Sequence, residues 1–109
     1  MGKLKTQHLV NAAMRLADQE LIGFYVTKKG DPDSGIIFIE CDVNGRQSML
    51  YARAMSFEGV YEYTAISGEA PRDRHDIAAL IEREVARDQD CWVISVEGQK
   101  GLQIFEQIT

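Results

Sequence analysis

The sequence predicts one α+β domain over residues 1–109, in which a mostly antiparallel sheet of five to six strands packs with two helices, in the order α-β-β-β-β-α-β-β. Two observations predict this fold class. Two stretches carry apolar residues at helical spacing, and several short stretches alternate apolar and polar residues between turn-forming glycines. Because 45% of the residues are hydrophobic, the chain can build one core without a disulfide or a structural metal.

Two amphipathic patterns define the predicted helices. The first helix starts with Thr6 as its N-cap and ends at about Leu21, and the second begins near Asp73 and ends near Arg87. The apolar face of the first consists of Leu9, Ala12, Ala13, Leu16 and Ala17, and that of the second consists of Ile77, Leu80, Ile81 and Val85. Each helix is expected to bury this face against the sheet.

The predicted strands cover residues 24–28, 36–39, 48–55, 60–66, 92–96 and 102–105. The second is apolar on both faces, which predicts a central strand. Asn44-Gly45 predicts a type I′ turn and therefore a hairpin of the second and third strands. Gly30 to Ser34 is expected to be a solvent-exposed hairpin connection between the first two strands, and Gly98 to Gly101 a turn before a closing hairpin.

The segment "KKGDPDSG", residues 28–35, contains the residue types that most resemble a site. Asp31 and Asp33 point the same way in an extended segment and could share a divalent cation, while Lys28 and Lys29 could help backbone amides bind an anion. A structural interpretation is also open: the aspartates accept hydrogen bonds from backbone N–H groups and the lysines form a charged strand end. The prediction favours Asp31 or Asp33 bonding backbone N–H groups.

Glu84 falls on the apolar stripe of the second predicted helix. Burial there would raise the pKa of its carboxyl group and make it a candidate acid or base. An arginine or lysine partner would instead leave it in a structural ion pair.

Trp92, together with Tyr61 and Tyr63, could form an aromatic binding wall, and a tryptophan beside Asp90 is typical of interfaces. Packing of these aromatic side chains in the core is the alternative. Asp90 and Trp92 are therefore candidate binding residues, as are Lys28 and Lys29.

Composition disfavours several classes of partner. The net charge of -5 argues against binding to nucleic acid, and no stretch reaches the roughly 20 apolar residues that span a membrane. Residues 1–5 lack the apolar region of a signal peptide, which favours a cytoplasmic protein. Cys41 and Cys91 are expected to be buried, reduced thiols, and neither a cofactor nor a metal is expected.

Three segments resemble a known pattern: "LKT" at residues 4–6, "KKGDPDSG" at 28–35 and "DQDCWVISVE" at 88–97. In order and spacing they resemble the bacterial family called domain of unknown function 1491, over nearly the whole chain. Gln89 stands where that family's pattern has proline, and Ser34 where it has alanine. The resemblance implies a single-domain, cytoplasmic bacterial protein with no assigned activity, and it supplies no catalytic or binding residue.

The sequence favours an accessory protein-binding or interaction module, which acts through a partner or by self-association, because it assembles no catalytic set. The alternative is a small metal-dependent hydrolase that uses Asp31 and Asp33, with Glu84 as proton acceptor. Catalysis is the less favoured of the two.

Overall fold

The structure, a computed structural model, describes residues 5–108; Leu4, the first residue of the "LKT" segment, lies outside them. The described elements are, in order, α1 (Thr6–Gln19), β1 (Phe24–Lys28), β2 (Ile37–Asp42), β3 (Gln47–Met55), β4 (Tyr61–Ala65), β5 (Arg72–Asp73), α2 (Arg74–Arg87), β6 (Trp92–Glu97) and α3 (Gly98–Ile108). The α+β class and most predicted elements are therefore confirmed.

The strands form one mixed sheet in the order β1-β6-β2-β3-β4, and the short β5 pairs with the start of β3. β2 occupies the centre of this sheet, as predicted. It pairs with β6 in parallel and with β3 antiparallel. The prediction of a mostly antiparallel sheet with two helices is thus only partly correct, because it lacked the parallel pair and the third described helix.

The predicted closing hairpin is wrong, since the last described residues form helix α3. Gly101, Ile104 and Phe105 share the buried face of this helix. A Cβ atom on Gly101 would lie 2.4 Å from the Cβ atom of Val96, so the glycine allows α3 to pack closely on β6. The glycine pair that resembles a turn in the sequence therefore begins a helix.

The loop between β1 and β2 is not a hairpin connection, because β6 lies between these two strands.

The hairpin of β2 and β3 is confirmed, but its predicted type I′ turn is wrong. Gly45 has a positive φ of 84°, whereas Asn44 does not. Asn44 instead accepts hydrogen bonds through Oδ1 from the N–H groups of Arg46 and Gln47.

Apolar side chains are buried on both faces of the sheet. On one face, α1 and α3 cover the larger cluster, which includes Leu9, Ala13, Ile37, Ile39, Trp92, Ile94 and Phe105. On the other face, α2 covers the smaller cluster of Phe38, Leu50, Ile77, Cys91 and Val93. Within residues 5–108, no helix is long and apolar enough to cross a membrane.

Candidate functional site

The segments that carry the family resemblance meet at one end of the sheet. The N–H of Gln7 donates to the carbonyl of Pro32 at 2.9 Å, and the N–H of Thr6 donates to the carbonyl of Asp33 at 3.4 Å. The loop thus satisfies the first N–H groups of α1, which an isolated helix leaves unpaired. Thr6 is the first helical residue rather than the predicted N-cap, and Lys5 takes the cap position without a side-chain bond.

The same loop is tied to the start of β6. The N–H of Asp31 donates to the carbonyl of Asp90 at 2.9 Å, and Nε1 of Trp92 donates to the carbonyl of Asp31 at 2.8 Å. A Cβ atom on Gly30 would lie only 2.3 Å from the carbonyl oxygen of Asp90. The glycine is therefore required for the close approach of two main chains.

The two loop carboxylates have different roles. Oδ1 of Asp31 accepts hydrogen bonds from the N–H groups of Asp33 at 2.8 Å and Ser34 at 3.2 Å, which confirms the predicted bonding of an aspartate to the loop's own backbone. Oδ1 of Asp33 lies 3.5 Å from Nζ of Lys5, and both side chains are exposed. Among residues 5–108, no group of three or more His, Cys, Asp or Glu side chains could hold a metal ion, so Asp31, Asp33 and Glu84 do not form such a group.

Two of the four candidate binding residues beside the loop, Lys28 and Trp92, are engaged in the fold. Nζ of Lys28 donates to the carbonyls of Gln89 and Cys91, which fixes the end of β1 to the turn before β6. Trp92 is 1% exposed and belongs to the larger core cluster, so it is not part of an open aromatic wall. Asp90 and Lys29 are exposed.

Glu84 lies half-buried in the C-terminal part of α2. Its Oε2 atom is 3.2 Å from Nη1 of Arg87. Of the two alternatives for Glu84, a buried acid or base and an ion pair with an arginine or lysine, the structure has the ion pair. This pair is partly exposed and gives Glu84 a structural role on the helix surface.

Both cysteines are buried, free thiols. Burial, with a smaller contribution from the Glu40 carboxylate, raises the pKa of the Cys41 thiol to about 12. Burial also raises the pKa of Cys91, although the Lys28 ammonium opposes this effect. A nucleophilic cysteine requires a lowered pKa, so neither thiol is suited to that role.

Within residues 5–108, the most exposed apolar surface lies on the β3–β4 hairpin, which also carries Tyr61 and Tyr63 of the predicted aromatic wall. Phe57 at its tip is fully exposed, and Met55 and Val60 beside it are also exposed. The tip is closed by a 2.8 Å bond from the N–H of Ser56 to the carbonyl of Val60. An open groove of about 520 Å³ is lined by Met55, Ser56, Phe57, Glu58 and Glu62.

The two edge strands of the sheet differ in how they resist further pairing. β1 breaks its register between Val26 and Lys28, and the exposed Lys29 follows directly after it, which are features that hinder edge pairing. β4 pairs with β3 in continuous register and contains neither proline nor lysine. Among residues 5–108, β4 therefore offers the edge that is better suited to an additional strand.

Comparison with known proteins agrees with this fold. A family model described as a protein of unknown function (DUF1491) matches residues 4–106. A crystal structure of a DUF1491 family protein from Caulobacter crescentus CB15 is 25% identical, covers 94% of each chain and has a TM-score of 0.78. No curated protein matches the chain.

Two solution structures are also similar. An NMR structure of a DUF1491 family protein from Caulobacter crescentus CB15 is 26% identical, covers 92% of this chain and 91% of its own, and has a TM-score of 0.75. Protein Atu0922 from A. tumefaciens is 26% identical, covers 90% of this chain and 88% of its own, and has a TM-score of 0.74.

Proposed function

This chain belongs to the DUF1491 family of proteins of unknown function, and from its own surface we propose that it is an accessory protein-binding module that acts through the β3–β4 hairpin. The observation that carries the proposal is the combination of a fully exposed Phe57 with β4, which is the terminal strand of the sheet in residues 5–108. Soluble proteins rarely leave such features together unless another surface covers them.

The direction of the N–H groups in β4 supports strand addition. The N–H of Ile66 donates to the carbonyl of Leu50 at 2.9 Å, so residue 66 faces β3. In an antiparallel pair, neighbouring residues alternate between facing the partner strand and facing away. The N–H groups of Tyr61 and Ala65 therefore point towards the outer edge, where an incoming strand would accept them.

Phe57 provides the apolar part of the proposed interface. Burying a phenylalanine side chain stabilises a complex by about 1.5–3 kcal/mol. The groove beside it also contains Glu58 and Glu62, which give the apolar surface a polar rim. An apolar centre with a polar rim is typical of protein interfaces.

The test uses the immobilised chain and a lysate of the organism from which it comes. Phe57→Ser removes the exposed ring, and Ala65→Pro removes an outward N–H group from β4. Leu21→Ser is the matched control, because Leu21 is 92% exposed but lies in the turn after α1. We expect the parent and Leu21→Ser to retain the same partner, which is then identified and purified. This partner should bind Phe57→Ser and Ala65→Pro at least about tenfold more weakly than it binds the parent.

Two outcomes would contradict the proposal. One is a partner that binds all four proteins equally well. The other is a parent that retains no partner and also remains monomeric in sedimentation at high concentration. Urea unfolding of each variant checks that weakened binding does not come from a loss of fold.

We also propose that the protein is bacterial and cytoplasmic. The similar solved proteins come from Caulobacter crescentus and A. tumefaciens, which supports a bacterial source. Cys41 and Cys91 are both unpaired thiols, as is usual in a reducing compartment. Cell fractionation with an antibody against the chain tests the location, and recovery in the periplasmic fraction would contradict it.

A further inference from the structure

Arg53 lies on the face of the sheet that α1 and α3 cover. In the sheet register it stands between Ile37 of β2 and Tyr63 of β4. Ile37 is completely buried, and Arg53 itself is only 5% exposed. A positive charge therefore occupies a position that alternation along β3 assigns to a buried side chain.

Among the described residues 5–108, no carboxylate forms an ion pair with the guanidinium group of Arg53. Its Cζ atom lies 3.6 Å from the centroid of the Tyr61 ring, which stabilises the cation from one side. Its Nε atom is buried without a hydrogen-bond partner, and no ion pair involves Arg53 among residues 5–108. Glu62 pairs with Ala54 and therefore points to the opposite face of the sheet.

This arrangement leaves hydrogen-bonding capacity for an anion. A guanidinium group presents five N–H donors in its plane and has no acceptor. The Tyr61 ring contacts the group at Cζ, and within residues 5–108 the buried Nε atom has no acceptor, so a carboxylate, whose two oxygens match the geometry of a guanidinium edge, is the ligand that fits. A buried cation without such a partner is unfavourable, which gives the site a reason to bind one.

The guanidinium of Arg53 lies near the β4 edge of the sheet. Tyr61 belongs to β4, which is the terminal strand, so the guanidinium contacts a side chain of the strand with which an added segment would pair. An added strand runs about 4.8 Å from β4, and every second side chain of it lies on the face of Tyr61 and Arg53. An Asp or Glu side chain on that face would extend beside Tyr61, whose ring contacts the guanidinium.

We propose that the β4 edge binds an extended segment of another protein, and that an Asp or Glu carboxylate of this segment binds the guanidinium of Arg53. This inference rests on the function proposed above and specifies its partner. A second copy of the chain does not supply the carboxylate through β4, because the residues of β4 on this face are Tyr61, Tyr63 and Ala65.

The first test is an NMR titration of the full chain, labelled with ¹⁵N in its arginine side chains. Sodium acetate is the probe and sodium chloride at equal ionic strength is the control. We expect acetate, and not chloride, to shift the Nε–H resonance of Arg53 in a saturable manner. Equal, non-saturating changes with the two salts would overturn the carboxylate site.

The second test uses two capped nine-residue peptides of alternating Thr and Val with a lysine at each end, which differ only in a central Glu or Gln. We expect the parent to bind the Glu peptide about tenfold more tightly than the Gln peptide. This preference should be lost in Arg53→Met and reduced in Arg53→Lys. The Trp92 emission spectrum checks that each variant is folded.

The outcomes separate this inference from the proposed function. Equal binding of both peptides to the parent, with a loss of binding in Ala65→Pro, would overturn the role of Arg53 and leave strand addition at β4 intact. Binding of both peptides that is indifferent to Ala65→Pro would contradict the edge itself. A failure of both peptides to bind would overturn the proposed partner.

Discussion

Trp92 and Asp31 are 61 positions apart in the chain, yet Nε1 of the indole donates a 2.8 Å hydrogen bond to the main-chain carbonyl of Asp31. The indole is buried in the core, whereas the loop that contains Asp31 lies at the surface. One side chain therefore fixes the loop to β6, and the loop in turn caps α1 through the carbonyl of Pro32. This network explains why the most polar motif of the chain is structural.

The first prediction concerns Trp92→Phe. The substitution removes the Nε1 donor, leaves the Asp31 carbonyl without it, and opens space in the core. We expect the free energy of unfolding to fall by about 2–4 kcal/mol, from the lost bond together with the reduced packing. Urea denaturation followed by far-ultraviolet circular dichroism measures the change, because the variant lacks the only tryptophan.

Tyr25→Phe is the matched control, since Tyr25 is 59% exposed and also loses one polar atom from an aromatic side chain. Its free energy of unfolding should stay within about 0.5 kcal/mol of the parent. Equal stability of Trp92→Phe and Tyr25→Phe would mean that the indole does not fix the loop.

The second prediction compares Gly30→Ala with Gly23→Ala. The new Cβ atom at position 30 would meet the main-chain oxygens of Asp90 and Cys91 at 2.3 and 2.6 Å, which cannot move without shifting β6. At position 23 it would meet the flexible side chain of Glu97, which can rotate away. We expect Gly30→Ala to destabilise the protein by about 1–3 kcal/mol, and Gly23→Ala by clearly less.

Thermal unfolding of the two variants under one set of conditions makes this comparison. Both substitutions remove the same conformational entropy from the unfolded chain, so the difference reports the native contacts. A melting temperature for Gly30→Ala at or above that of Gly23→Ala would contradict the close approach of the loop and β6.

Local patterns predicted the elements that depend on local periodicity. Both amphipathic helices and the central strand formed near their predicted bounds. The side-chain cap that Thr6 was expected to provide is replaced by carbonyls from a loop more than 25 residues away in sequence. The parallel pairing of β2 with β6 also depends on a distant segment, which no local pattern specifies.

Taken as a short run, the apolar residues Leu102, Ile104 and Phe105 predict a strand, whereas the structure has helix α3 there. Gly101, Ile104, Phe105 and Ile108 follow i, i+3, i+4, i+7 spacing, which is a helical signal. Gly98, with φ of 72°, permits the turn from β6 into this helix. Gly101, by contrast, allows α3 to pack closely on β6. The two glycines therefore have separate roles, although their spacing in the sequence resembles a single turn.

The residues of the proposed surface were missed for different reasons. Arg53 continues the alternation of Met49 and Tyr51 on one face of β3. A charged residue at such an inward position is the sequence feature that marks Arg53 as a candidate binding residue. Phe57 lies in a short segment between strands, where a large apolar residue is unusual. Neither signal shows that β4 is an edge strand, because that depends on the sheet order.

The third prediction concerns alkaline pH. Burial, and then the Glu40 carboxylate, raises the pKa of Cys41 from 9.0 to about 12. Above pH 9 the unfolded chain releases this proton while the folded chain keeps it, so folding stability falls as the pH rises. We expect Cys41 to lower the free energy of unfolding by about 2 kcal/mol between pH 9 and pH 10.5. Below pH 8, where the thiol is protonated in both states, it should have no such effect.

Urea midpoints of the parent and Cys41→Ala across this pH range provide the measurement. The pKa values of Cys91 and Tyr51 are also raised by burial, so both proteins should lose stability, and the parent should lose more. Parallel profiles for the two proteins would show that the Cys41 thiol titrates similarly in the folded and unfolded states.

The last prediction separates the two carboxylates of the loop. Asp31 accepts two backbone hydrogen bonds through Oδ1, so Asp31→Ala leaves the N–H groups of Asp33 and Ser34 without this acceptor. We expect a loss of about 1–2 kcal/mol, whereas Asp33→Ala removes only an exposed ion pair with Lys5 and should cost less than about 0.5 kcal/mol. The main-chain carbonyls that cap α1 remain in both variants, which makes them a matched pair. Thermal unfolding with and without magnesium completes the test: a melting temperature that rises with magnesium in the parent, and not in either variant, would indicate a metal site in place of a loop held by its own carboxylate.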